Sequence, residues 1–319
     1  MSDSDAVTGP VKTAAPRTAG ERRGAPTEEP ARPQWIVPVA RNLRRSVLGS
    51  AGVLVIAAVV CLAIAAPLVA PYDPTAIDLS RSLRAPTWAH AAVERHWFGT
   101  DALGRDLLSR VIYGTRVSLL VGLASVVVAG SIGTTVGVLC GYFGGRVDAI
   151  LMRVVDVQMA FPDILLAIAI MAVVGQGLWN LVAVLGFTGW SAYARIVRAG
   201  VLSLREREYV HAAKAIGISD ARMLLRHILP NTLSPIIVLA SFGVAGNIIS
   251  ESSLSFLGLG VKPSTPTWGS ILADGRDYIR DAWWLTTFAG LATMVTVAAI
   301  NVIGDWLRDY LDPKLRPER

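Results

Sequence analysis

Residues 206–230 read EREYVHAAKAIGISDARMLLRHILP, a polar stretch set between two long apolar runs. Twenty-five residues is more than a helix–helix connection needs, and the pattern inside is ordered. Tyr209, Ala212, Ala213 and Ile216 recur at i, i+3, i+4 and i+7, one face of a helix. Arg207, Glu208, His211 and Lys214 take its other faces. Gly217 ends the helix, because glycine most easily adopts the left-handed C-terminal cap. Ser219 is then the N-cap of a second short helix, with Asp220 at the positive end of its dipole. Ala221, Leu224, Leu225 and Ile228 form that helix's apolar face, and Pro230 predicts a turn into the next run. The stretch is a helix–Gly–helix elbow with an unusually small face. Two readings of that face stand side by side: a surface on which another protein's backbone docks, rimmed by charge, and an amphipathic elbow lying on lipid headgroups.

The runs around the elbow set the class. Apolar residues make up 53% of the 319-residue chain and charged residues 17%, against roughly 25% charged in soluble domains, so the excess apolar surface needs a solvent other than water. The first run, Val47 to Ala70, would span about 36 Å as a helix, enough to cross a bilayer with some tilt. The others are Val117 to Tyr142, interrupted by small residues that let membrane helices approach closely; Ala149 to Val174; Leu178 to Leu202; Leu233 to Phe256; and Trp283 to Ile303. The expectation is an all-α integral membrane protein with six transmembrane helices. One N-terminal span (36–70) precedes a permease core (117–307) that carries the 206–230 elbow, with an outer loop at 71–116.

Orientation follows from Lys and Arg placement. Eight precede the first span, five fall in 205–226 and four lie from Arg308 onward, which puts both termini and the elbow in the cytoplasm. The net charge of +6 is therefore read as topology and not as nucleic-acid binding. The first 35 residues read as a disordered tail and 308–319 as a cytoplasmic tail. The tail is not a signal peptide, since the first apolar run begins late and is too long for an h-region. Cys61 and Cys140 lie singly in apolar runs and read as small buried residues.

Polar residues inside the runs are functional candidates, because charge in a bilayer is costly. Arg153 and Asp156, three apart on one helix face, read as an intrahelical pair, with a gate element as the alternative. Pro162 allows a kink in that span. Arg195 and Arg198 read as snorkelling, or as ties between the fourth span and the elbow. Glu251, near a helix C-terminus, calls for a partner: an outer-loop arginine such as Arg105 or Arg116, or a cationic group of a substrate in transit. Thr100-Asp101 is expected to cap a short helix through Leu107, Leu108 and Val111, with Asp101 and Asp106 as a metal pair the alternative. His90 and His96 lack ligand spacing.

The order Ala212-Ala213-x-x-x-Gly217, followed by Ile228-Leu229-Pro230, resembles the EAA loop of ABC-importer permeases. His211 stands where that family commonly has Glu, and His227 where it has Ile. Phe98-Gly99-Thr100-Asp101-Ala102-Leu103-Gly104-Arg105-Asp106, Glu251-Ser252-Ser253-Leu254-Ser255-Phe256-Leu257-Gly258 and Gly304-Asp305-Trp306-Leu307-Arg308-Asp309 are similar to the C-type permease subunit of dipeptide, oligopeptide and nickel importers. The resemblance covers the chain from about residue 35. It implies a type I ABC-importer fold in a bacterial inner membrane and import of peptides or similar small solutes. It also implies a second permease subunit, two cytoplasmic ATPases that hold ATP and Mg, and an extracytoplasmic solute-binding protein. By the same resemblance Tyr209, His211, Ala212, Ala213, Gly217, Leu229 and Pro230 form the ATPase-coupling site. Arg153, Asp156 and Glu251, as charges within the spans, are candidates for the substrate pathway or gate.

The chain has no G-x-x-x-x-G-K-[ST] phosphate loop, no HExxH and no nucleophile elbow, so catalysis and ATP hydrolysis are expected elsewhere, with no cofactor or metal in this chain. A secondary transporter or channel is the rival, but no internal repeat supports it. A membrane-embedded enzyme is the third reading, and no clustered catalytic groups support it.

Overall fold

The apolar runs fold into helices in the computed structural model, which describes Leu43 and residues 46–88 and 95–311. The expected N-terminal tail, His90 and residues 312–319 lie outside the described residues. α1 (Val47–Val69) starts at Ser46, whose hydroxyl accepts from the Gly49 amide. There follow α2 (Leu107–Phe143), α3 (Gly145–Met159), α4 (Asp163–Val174), α5 (Leu178–Arg205), α6 (Glu208–Ala215), α7 (Asp220–Met223), α8 (Leu229–Phe256), α9 (Trp268–Gly275) and α10 (Trp283–Leu311). The last helix runs past Arg308, where the sequence suggested a tail. Among the described residues the one β feature is an isolated bridge between Thr100 and Asp106.

α2 is the axis. It begins ten residues before the apolar run does, because Asp106 caps it: one carboxylate oxygen accepts from the Ser109 amide at 2.8 Å and from its hydroxyl at 2.7 Å. Thr100-Asp101 is thus not the cap. At 1.5 Å per residue its 37 residues reach about 55 Å. Ala129, Gly133, Gly137 and Gly141 fall four apart, all buried, and make a stripe of small residues against α5. A Cβ on Gly133 would lie 2.3 Å from the Trp190 carbonyl, and one on Gly137 2.6 Å from that of Ala194. The two backbones touch because no side chains separate them.

Two expected elements differ. The third run is broken: α3 and α4 meet at 87° across Ala160, Phe161 and Pro162. Proline has no amide to donate and disfavours helix in the residue before it. Pro230, by contrast, makes no turn. Helix is continuous from Asp220 to Phe256. A π turn over Leu224–Ile228, closed by the Leu229 amide on the Leu224 carbonyl, widens the turn before the proline and relieves the clash its ring would cause.

Among the described residues four helices are long and apolar enough to cross a membrane: α1, α2, the run Asp220–Phe256 and α10. The bent pair α3–α4 would be a fifth if it counts as one span. α5 is 28 residues long but carries Asn180, Thr188, Ser191 and Arg195, and is not among them. The protein is therefore an all-helical membrane protein with four to five clear spans among the described residues.

The glycine stripe is testable. Gly137→Leu is expected to force α2 from α5 and to cost about 2 kcal/mol or more by overpacking, read as a lower melting temperature in detergent. Gly246→Ala, whose added Cβ would meet nothing within 4 Å, is expected to melt like the parent.

Candidate functional site

The elbow forms as its glycine dictates. Gly217 sits at φ +79°. Its amide donates to the Lys214 carbonyl at 3.0 Å, and the next amide, of Ile218, reaches back to Ala213 at 3.2 Å, the paired closure that ends a helix on a left-handed residue. Ser219 occupies the N-cap position of α7, though its hydroxyl makes no cap bond.

Of the four-residue apolar face Ala213 alone is buried, beside Val210, which lies off that face. Val210 and Ala213 are buried with Met223 and Ile228 against Tyr142 of α2 and Val197 and Val201 of α5. Tyr209, Ala212 and Ile216 point away and are exposed, Ile216 by 78%. Of the other coupling candidates, His211 and Gly217 are exposed, while Leu229 and Pro230 are half-buried in the first turn of α8. Ala213 is therefore a packing residue, which the i+3/i+4 ambiguity of a two-turn helix concealed.

Two contacts from the elbow, and one from the last residue of α5, bind the end of α2. The Tyr142 hydroxyl donates to the Asp220 carboxylate at 2.5 Å. The Lys214 ammonium lies over the same ring, 5.0 Å from its centroid. Arg205 donates to the Gly141 and Tyr142 carbonyls at 3.4 and 3.3 Å, which have no helical partners at a C-terminus.

The charges of α3 and α5 pair between helices. Asp156 bonds Arg195 of α5 at 2.8 Å, not Arg153, and Arg198 grips Asp148 of α3 through two bonds of 2.5 and 2.6 Å. Arg153 is exposed and makes no ion pair among the described residues. Arg195 and Arg198 thus tie α5 to α3 and not to the elbow.

At the opposite end of α2, Glu251 is fully buried and no cation partners it among the described residues. Four hydroxyls surround it instead: Ser255 at 2.8 Å, Ser118 of α2 at 3.2 Å, Ser252 at 3.4 Å, and Thr267. Thr267 also caps α9, exchanging two 3.0 Å bonds with Ser270, and the Trp268 amide donates to Ser118 at 3.4 Å. One carboxylate thus joins α2, α8 and α9. The expected partner Arg105 is engaged elsewhere. It bonds Asp101 at 2.6 Å and Asp274 at 3.0 Å, and Arg110 meets the same two carboxylates. The other expected partner, Arg116, is exposed. Asp101 and Asp106 are not a metal pair: Asp101 holds arginines, and Asp106 holds Ser109 and, at 2.9 Å, His96. Among the described residues no group of three or more His, Cys, Asp or Glu could hold a metal.

Residues 133–317 match the family described as binding-protein-dependent transport system inner membrane component. Residues 36–86 match the N-terminal transmembrane domain of oligopeptide transport permease C. The chain is 44% identical over 265 residues to a di/tripeptide transport system permease protein of Pseudomonas aeruginosa, covering 83% of this chain and 88% of the other. The chain belongs to this family. The permease is also 41% identical to a dipeptide transport system permease protein of Alkalihalophilus pseudofirmus, over 86% of this chain and 89% of that one. With a glutathione transport system permease protein of Pectobacterium atrosepticum it shares 43% identity, over 86% and 90%. Its fold is similar to that of an inward-facing MetNI methionine ABC transporter, with a TM-score of 0.52 at 18% identity, covering 65% of this chain and 98% of that one.

Sequence reading missed the Tyr142–Asp220 contact, the Asp148–Arg198 pair, the Glu251 cage and Asp274. Only Asp106, three residues before Ser109, carried a local capping signal. For the Arg105–Arg110 cluster the expectation is sharp. Asp101→Ala leaves two buried arginines to share the half-exposed Asp274 alone and is expected to destabilise the permease by up to about 3–5 kcal/mol. Adding Arg110→Met should recover part of that loss, measured by thermal unfolding in detergent.

Proposed function

We propose that this permease imports peptides or similar small solutes in an ATP-driven cycle, and that residues 206–230 dock it onto a cytoplasmic ATPase. The observation that supports this is the split face of α6. Val210 and Ala213 anchor the helix to α2 and α5, while Tyr209, Ala212 and Ile216 remain exposed on the other side, beside the turn at Gly217. A helix lying on headgroups would bury its whole apolar stripe in lipid; here Ala213 of that stripe, with Val210 beside it, packs into the protein's own core. Tyr209, His211, Ala212 and Gly217 make the docking surface. Ala213, Leu229 and Pro230 hold it in place.

The relatives named for di/tripeptide, dipeptide and glutathione transport support a peptide-sized substrate. The complete machine is a second permease subunit, two ATPases that bind ATP and Mg, and an extracytoplasmic solute-binding protein, in a bacterial cytoplasmic membrane. α5 serves as a further span, its arginines neutralised by Asp148 and Asp156. With α3–α4 as one broken span the count is six, with both termini and the elbow in the cytoplasm. The exposed Arg153 and the half-exposed Asp156–Arg195 pair belong to the substrate pathway. The Glu251 cage is an outer latch that fastens α9 across the ends of α2 and α8.

Ala212→Trp fills the exposed small face without touching the core, and Gly217→Pro imposes φ near −65° where +79° is required. Both variants are expected to insert normally and to lose uptake in reconstituted vesicles while ATP is still hydrolysed. Uptake at the parent's rate would refute the docking assignment. Glu251→Ala is expected to free α9 and to raise ATPase activity without the binding protein several-fold; a basal rate matching the parent's would rule out the latch.

A further inference from the structure

The elbow has two covalent exits, back into α5 and on into α8. Tyr142 gives it a third, and resting on the docking reading above, we propose that Tyr142 is the residue through which the elbow drives α2. The ring is buried, 6% exposed, one residue from the end of the helix. Its two polar contacts come from different halves of the elbow. Lys214, over the ring face, is on α6, and Asp220, accepting from the hydroxyl, opens α7. Gly217, the one left-handed residue of the elbow, lies between them. A single side chain therefore bridges the joint about which the elbow can bend, and any change in the angle between α6 and α7 pulls on it from one side or the other.

The contact suits transmission better than anchoring. Anchoring is already supplied by Val210, Ala213, Met223 and Ile228, which pack without polar contact on the Tyr142 ring and on Val197 and Val201 of α5. The hydroxyl–carboxylate bond and the cation over the ring add direction. Both act on the tip of a side chain whose backbone carbonyl is held by Arg205, so force on the ring passes into the helix instead of fraying its end. α2 is stiff over its length, because the small stripe locks it to α5, and its far end carries Ser118 in the Glu251 cage and Arg110 in the Asp101–Asp274 cluster. Movement of the elbow reaches the outer latch along α2 as well as along α8. Tyr142 is thus a positioning residue: it touches neither solute nor nucleotide.

The test uses the whole transporter, with both permease subunits, ATPases and binding protein, in vesicles. Tyr142→Phe keeps the ring, the packing and the cation contact but loses the bond to Asp220; Tyr142→Leu loses both polar contacts. The ATPases are expected to co-purify with each variant as with the parent. Solute imported per ATP hydrolysed is expected to fall at least fivefold in Tyr142→Phe and further in Tyr142→Leu. Asp220→Ala should reproduce the Tyr142→Phe effect, and the two together should be no worse than either alone, as for two changes that remove one shared contact; the melting temperature of Tyr142→Phe should stay at the parent's, which simple destabilisation would not allow. An unchanged import ratio in both Tyr142 variants overturns the proposal, and so does loss of the ATPases from Tyr142→Phe, which would make the residue part of the docking surface. The docking reading fails separately, if Ala212→Trp leaves uptake intact.

Discussion

The whole arrangement depends on how closely α2 and α5 approach. Lipid tails are as apolar as leucine, so helices in a bilayer gain nothing by hiding apolar side chains from each other; they associate through dispersion contact at short range. Ala129, Gly133, Gly137 and Gly141 provide that contact by removing everything between two backbones. The device recurs. Gly122 of α2 faces Val244 and Ile248 of α8, and Gly49 and Gly52 of α1 face Trp306, Ala299 and Ile303 of α10. Each helix pair is held by a face that can accept only one neighbour at one register, since a Cβ at Gly133 or Gly137 would sit well inside contact distance. α2 takes part in two of these pairings, and this makes it the element to which both ends of the molecule are referred.

Polar groups do the complementary work. An unpaired charge buried among these helices would cost several kcal/mol, and the carboxylates that face other elements are shared between them: Asp148 and the half-exposed Asp156 between α3 and α5, Glu251 among α2, α8 and α9, Asp101 between the 71–106 loop and α2. Pairs of this kind add little net stability over apolar substitutes, but removing one partner is severe. They fix which helix meets which, while the glycines fix how closely.

The sequence was legible where the physics is local. The glycine that closes α6, the apolar period of each run and the break at Pro162 follow from single residues and their neighbours. It was illegible where a residue's meaning comes from a distant one. Arg153 and Asp156 share a helix face, so local pairing is the natural reading; the structure instead gives Asp156 to Arg195, 39 positions away. Glu251 calls for a cation on electrostatic grounds, yet hydroxyls from three segments meet the need, the most distant 133 positions off. Pro230 looked like a boundary because proline usually is one, and the π turn that absorbs it has no single-residue signature. Ala212 and Ala213 are indistinguishable in the sequence; only the position of α2 and α5 decides which is buried.

The misreading of Pro230 alters the mechanics. A turn there would have placed a second joint between the elbow and the spans. Continuous helix from Asp220 to Phe256 leaves Gly217 as the joint and makes α7 and α8 one body. That body carries Asp220, which holds Tyr142 at the start of it, and Glu251 some 31 residues or about 46 Å further on. α2 runs alongside and carries Tyr142 at one end and Ser118 towards the other. The two helices are therefore fastened to each other twice, near opposite ends. One turn of sliding between them is about 5.4 Å, well beyond hydrogen-bond reach from contacts of 2.5 and 3.2 Å. A slide of that size would break both fastenings together, whereas a tilt about one leaves it intact and opens the other. Sliding therefore couples the Glu251 cage to the Tyr142–Asp220 contact, whereas tilting opens one and spares the other.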